Sequence, residues 1–177
     1  MRARWCWIGA VAWLSCCRLD SQDWPAVKEG IGRRYPSVVT ISTRELSLWL
    51  ARPDTGHPIL LDARSHDEHA VSHLRGAHHA ATVDDALKVL QGAALDTPIV
   101  TYCAVGYRSA QLADRLRLRG YTGVVNLEGS LFSWANEGRP LWRGATPTAL
   151  VHPYGEPWAG LLDESRRATA PVRESAE

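Results

Sequence analysis

Hydrophobic and polar positions along this chain switch repeatedly between a near-continuous apolar run and a helical period. Residues 38–41 predict a short edge strand, and Ser42 with Glu45 forms a capping box that opens a helix burying Leu46, Trp49 and Leu50. The Pro53–Gly56 turn ends that helix, and residues 58–62 read as a central strand, apolar throughout because both its faces are covered. Ser65 and Glu68 make a second capping box, with a short helix to about Val71 and a loop over residues 72–77. A helix over residues 84–90 is marked by Ala86, Leu87 and Leu90. A buried strand over residues 99–102 follows, and then a helix with Ala110, Leu112, Ala113, Leu116 and Leu118 at helical spacing, stopped by Gly120. Residues 124–127 predict a fourth strand and residues 131–136 a last helix, capped by Gly138 ahead of Pro140.

Strands alternate with helices over short connections, and no tight hairpin signal joins any two strands. The pattern predicts an α/β domain with a small, open, mainly parallel sheet flanked by helices. Asp62, Cys103 and Glu128 then fall at the carboxyl ends of strands, the edge where open α/β sheets place their sites.

A length of 177 residues suits one domain with extensions. Residues 1–17 carry two arginines and then an apolar core too short to span a bilayer, which fits a signal leader. Cys16 and Cys17 after small residues are candidate lipidation sites, so the expected location is exported, periplasmic or held at a membrane by lipid. The alternative is an uncleaved leader on a cytoplasmic protein. Residues 18–37 read as a polar linker with a helix around residues 24–30, residues 38–143 as the domain, and residues 144–177 as an extension. Within that extension Val151, Tyr154, Trp158, Leu161 and Leu162 are expected to pack, and residues from 163 onward to fray. The net charge of +1 offers no basis for a nucleic-acid partner. Arg115, Arg117 and Arg119 on one helix read as a solvated face.

The cysteines are Cys6, Cys16, Cys17 and Cys103, so Cys103 stands alone in the domain. It lies where a strand turns directly into a helix, with Gly106 three places on and Arg108 five. Free backbone N–H groups and the helix dipole at such a turn favour an anion, and Arg108 adds positive charge, conditions that favour a thiolate. An inert core cysteine is the plain alternative, opposed by the tight reversal at Gly106 and the charge of Arg108. A metal site is disfavoured. His66, His69 and His73 could share one helical face, but Ser72 and Gly76 end the helix before His73, and no further ligand accompanies them.

The loop Cys103-Ala104-Val105-Gly106-Tyr107-Arg108-Ser109 resembles the active-site loop of the rhodanese family of sulfurtransferases, Cys-x-x-Gly-x-Arg. Upstream, Asp62-Ala-Arg64, Glu68 and His73-Leu-Arg-Gly76-Ala77 are similar to the family's Asp-x-Arg, Glu and Gly-His-Ile-Pro-Gly-Ala, with Ser72, Leu74 and Arg75 as departures. Downstream, Gly129, Trp134 and Gly138-Arg-Pro140 resemble the family's closing motif, with Ser130 in place of its second glycine. The likeness runs over residues 38–142. It implies a Cys103 persulfide formed from thiosulfate or a similar small anionic donor and passed to an acceptor that is a small thiol or a protein thiol. Ala104 to Ser109 would bind the donor, and no cofactor would be needed beyond the covalent persulfide. Asp62, Arg64 and Glu68 would serve as a structural polar network and His73 as a packed histidine, while Ala104, Val105 and Tyr107 would shape a small, fairly apolar rim. Two other readings remain. One is a cysteine phosphatase or arsenate reductase, which uses Cys-(x)5-Arg, one residue longer than the Cys103–Arg108 spacing. The other is a non-catalytic module that carries persulfide.

Overall fold

The computed structural model describes residues 23–52, 56–155 and 157–169. The leader with Cys16 and Cys17, the first linker residues, most of the turn after Arg52 and the tail beyond residue 169 lie outside the described residues.

Six helices are described, α1 (Trp24–Arg34), α2 (Thr43–Leu50), α3 (His66–Val71), α4 (Val83–Val89), α5 (Tyr107–Arg117) and α6 (Ser130–Asn136). Five strands, β1 (Thr40–Ile41), β2 (Ile59–Asp62), β3 (His78–His79), β4 (Ile99–Tyr102) and β5 (Val124–Leu127), form one sheet in the order β1-β5-β4-β2-β3. Every neighbouring pair in it is parallel. β4 is central and all four of its residues are buried, which accounts for its β-branched and aromatic character, with the Thr101 hydroxyl satisfied by the Ser109 carbonyl.

Alternation along β4 divides the core. Val100, Tyr102 and then Ala104 join Leu46, Phe132 and Trp134 on the face covered by α1, α2 and α6. Ile99 and Cys103 join Leu61, Ala86, Leu112 and Leu116 on the face covered by α4 and α5. Both expected capping boxes form, with Ser42 and Glu45, and Ser65 and Glu68, satisfying each other's orphan N–H groups.

Four features depart from the sequence reading. α1 is part of the domain, not of a linker: Val27 and Ile31 are buried in the core, and the helix continues to Arg34 despite Gly30 and Gly32. At Gly30 the missing side chain has a packing reason, because a Cβ there would collide with the Tyr107 hydroxyl. His78 and His79, to which the sequence pattern assigns no element, pair with Leu61 and Asp62 as an edge strand.

A hairpin also exists. β6 (Leu141–Arg143) and β7 (Thr146–Thr148) are antiparallel and straddle the boundary drawn at residue 144. Pro147 hid β7, since proline cannot donate to a ladder and is tolerated only where its nitrogen faces away from the partner strand. Residues 163–168, finally, are tied down where fraying was expected. Val151 donates to Arg166 O at 2.7 Å and accepts from the Ala168 N–H at 2.9 Å.

Candidate functional site

β4 ends at Tyr102 and α5 starts at Tyr107, so residues 103–106 make the whole connection at the centre of the sheet's carboxyl edge. Gly106 caps α5 at φ +118°, a conformation that disfavours any side chain, and a Cβ there would press on Ile31 of α1. The turn directs the Gly106 N–H at Cys103 Sγ, 3.1 Å away. Cys103 is only 1% exposed, and among the described residues it is the free cysteine.

The loop is held from behind by the turn into α6. Leu131 and Phe132 donate their N–H groups to the carbonyls of Cys103 and Ala104, each at 3.0 Å. The Cys103 N–H donates to Ser130 Oγ, whose own hydroxyl donates to Leu127 O, both at 3.1 Å. Ser130 adopts φ +50°, a conformation that costs a non-glycine residue about 1–3 kcal/mol. Here the serine keeps the glycine-like backbone and adds a hydroxyl beneath the cysteine. Sequence reasoning noted Ser130 only as a departure from the family pattern. Asn126, missed altogether, donates from Nδ2 to Gly106 O at 3.3 Å.

Several loop residues stand differently from expectation. Ala104 and Val105 do not form a rim. Their side chains are buried in the core cluster that holds Phe132, Ala104 in step with the alternation of β4 and Val105 out of step with it, brought to the same cluster by the turn. Ser109 is fully buried, and its hydroxyl donates back to Gly106 O at 3.2 Å, so it braces the loop. Only Tyr107 and Arg108 reach the surface from this loop.

Arg108 is engaged in a way its spacing to Cys103 did not reveal. Its two terminal nitrogens donate to both carboxylate oxygens of Glu68, at 2.7 and 2.8 Å. Such a bidentate, charge-assisted pair fixes the plane of the guanidinium. The Tyr154 ring lies against it, 4.6 Å from ring centroid to Cζ. Burial works against the Arg108 charge, but the Glu68 hydrogen bonds and the nearby Cys103 sulfur outweigh that cost and raise its pKa. Burial also works against the Glu68 charge, and the Arg108 pairing prevails and lowers the carboxyl below its ordinary range.

Behind this pair lies a second. Asp62 and Arg64 are both fully buried, with Nη2 and Oδ2 at 2.6 Å. Arg64 Nη2 also donates to the Ser72 carbonyl, and the His79 ring nitrogen Nε2 donates to Arg64 O at 2.9 Å. Burial alone would raise the Asp62 carboxyl, but Arg64 and the His69 hydrogen bond hold it well below the usual range. The His69 and His73 rings stack at 4.3 Å. His69 Nδ1 sits 2.9 Å from Asp62 Oδ2, and His73 Nδ1 sits 3.1 Å from the His69 carbonyl. Burial pushes the His73 pKa down. Among the described residues no group of three or more His, Cys, Asp or Glu is placed to hold a metal ion.

Comparison with known proteins places the chain. The rhodanese-like domain family matches residues 44–137. Thiosulfate sulfurtransferase GlpE of Haemophilus influenzae is 32% identical over 83 residues, covering 47% of this chain and 78% of the relative. The probable adenylyltransferase/sulfurtransferase MoeZ of Mycobacterium tuberculosis is 31% identical over 103 residues, which are 57% of this chain but 26% of that longer protein. Among solved structures, a thiosulfate sulfurtransferase from Pseudomonas aeruginosa superposes with a TM-score of 0.58 at 22% identity, over 70% of this chain and 23% of the other. At that identity the likeness speaks for the fold. With the match spanning more than half of the chain and the buried Cys103 just past the end of the central strand, the chain belongs to the rhodanese-like domain family, with sulfurtransferases among its relatives.

Proposed function

We propose that this protein is a rhodanese-type sulfurtransferase that moves sulfane sulfur from thiosulfate, or a similar small anionic donor, to a thiol acceptor. The observation that carries the reading is the Gly106 N–H directed at Cys103 Sγ from 3.1 Å in a loop with four residues between Cys103 and Arg108. An N–H at the start of a helix stabilises negative charge on sulfur, and a ring this tight suits one sulfur atom better than a tetrahedral phosphoryl group.

The Cys103 thiolate attacks the outer sulfur of thiosulfate. A bond forms between Sγ and that sulfur, the donor's S–S bond breaks, and its electron pair leaves with sulfite. The resulting persulfide carries its charge on the outer sulfur, where the N–H groups of the turn stabilise it. An acceptor thiolate then attacks the outer sulfur, takes it as a new persulfide and returns the Cys103 thiolate. No net oxidation occurs, and no cofactor takes part. Arg108 supplies fixed positive charge at the mouth. Since Glu68 occupies one N–H of each terminal nitrogen, the donor is gripped mainly by the loop backbone and attracted by Arg108.

The test is intact-mass analysis and peptide mapping after thiosulfate treatment. We expect an adduct of one sulfur atom on Cys103 that cyanide removes, and its loss in Cys103→Ser. No adduct on a Cys103 that iodoacetamide still alkylates would overturn the reading. Turnover of an aryl phosphate, abolished by Cys103→Ser, would establish the phosphatase alternative in its place. An adduct that forms but passes to no acceptor would establish a persulfide-carrying module.

A further inference from the structure

The family match ends at residue 137, yet the chain continues into a segment that returns to the cysteine loop. Its beginning and end are anchored. Val151 is fully buried and bridged to Arg167. Asn136 of α6 donates from Nδ2 to the Leu161 carbonyl at 2.9 Å and accepts from the Asp163 N–H at 3.0 Å. Between these anchors the chain crosses the loop with two aromatic side chains. Tyr154 lies on the Arg108 guanidinium, and Trp158 packs on Tyr107 with ring centroids 5.5 Å apart.

Those two partners matter because of what surrounds them. Cys103, Ala104, Val105 and Gly106 are all buried, so Tyr107 and Arg108 are the loop residues that border the outside. Each is covered by one aromatic of the crossing segment. On the other side α1, also outside the family match, closes the loop with Gly30 against Tyr107 and Ile31 against Gly106. Tyr154 is moreover held at φ +66°, a conformation that a bulky side chain adopts only when its surroundings impose it. The N–H of Tyr154 donates to His152 Nδ1 at 3.0 Å, which helps to fix that bend.

We propose that residues 151–155 and 157–162 form a strap that sets the size limit of the entrance to Cys103, with Tyr154 as the specificity-determining residue. This rests on the sulfurtransferase reading and narrows it. Both donor and acceptor are small: a sulfane-sulfur anion of thiosulfate size, and a low-molecular-weight thiol or similar nucleophile. A thiol carried on the surface of a folded protein does not reach the persulfide past the strap.

The experiment compares alkylation of Cys103 in the full chain by iodoacetamide and by a fluorescein-bearing maleimide, with peptide mapping to isolate Cys103 from the other cysteines. Each rate is normalised to the urea-unfolded chain, which removes intrinsic reagent reactivity. In the wild type the maleimide is expected to be disfavoured relative to iodoacetamide. Tyr154→Gly suits the left-handed backbone and deletes the ring, and it should relieve that bias by about two- to fivefold, as loss of one partly exposed aromatic–cation contact allows. Trp158→Ala should act in the same direction. An unbiased wild type, or a bias unchanged in Tyr154→Gly, overturns the proposal. Thiosulfate treatment of the same samples separates the two claims. A missing adduct alongside a relieved bias removes the sulfurtransferase reading and leaves the size limit standing. An adduct alongside an unaltered bias does the reverse.

Discussion

Arg64 follows β2 and Arg108 lies just inside α5 after β4, two neighbouring strands of the sheet, and each guanidinium grips a carboxylate. The settings differ. Arg64 and Asp62 are both 0% exposed and lie two residues apart at one strand end. Arg108 keeps 33% of its side chain exposed, while Glu68, forty residues earlier, is 4% exposed. A fully desolvated pair is tolerable only while complete, because removing one member strands a charge with no water to solvate it. A pair with one member partly exposed can exchange that member's partner for solvent or for an anion. Similar Arg–carboxylate chemistry thus serves as a fully buried staple behind the site and as a partly exposed, oriented charge at its rim.

The largest expected effect follows from the staple. Arg64→Met should destabilise the fold by about 3–5 kcal/mol, which for a chain of this size lowers Tm by roughly 10 °C or more. Urea unfolding and thermal melts would measure it. A variant with wild-type stability would break the comparison at once.

The rim pair should cost less stability and more chemistry. Glu68→Gln removes a charged partner from a site part-open to water, so about 1–2 kcal/mol is expected. Arg108→Lys loses the planar fork that fits Glu68, and its rate of Cys103 sulfuration by thiosulfate should fall by about tenfold while the fold survives. If Arg64→Met, assayed where it is folded, slowed sulfuration more than Arg108→Lys, the division into staple and rim would fail.

The smallest effect is in pH dependence, and its sign follows from the carboxyls. Asp62 and Glu68 are both held below the ordinary carboxylate range by their arginine partners, so as pH falls the unfolded chain binds their protons first. Their contribution to stability is therefore complete above about pH 5 and lost as pH falls through the carboxylate range. His73, lowered by burial, works the same way at higher pH, its contribution falling away as pH drops below the ordinary imidazole range. Melts across this range should show a shallower acid limb in Glu68→Gln than in wild type. Identical limbs would mean that Glu68 is not held ionised by Arg108.

Much of the scaffold was legible because its determinants are local. Both capping boxes lie within four residues, and the apolar run of β4 with the helical spacing of α5 places Cys103 at the mouth of the turn. The count from Cys103 to Gly106 and Arg108 needs nothing beyond the chain itself. Where local signals conflicted, the reading went astray. Pro147 masked an edge strand, Gly30 and Gly32 shortened an expected helix, and Ala104 and Val105 looked like a rim because the turn that buries both of them leaves no periodic signal.

What the sequence by itself determined was the position of Cys103, the turn that presents it and the parallel α/β scaffold, since hydrogen bonds between near neighbours and the two periods of burial specify them. Tertiary structure alone decided what surrounds the sulfur. It brought Glu68 to Arg108 across forty residues, Ser130 beneath Cys103 across 27, and the aromatics of the strap onto the two loop residues that border solvent. Those contacts depend on how separate elements pack against one another, and no spacing within a single element encodes that.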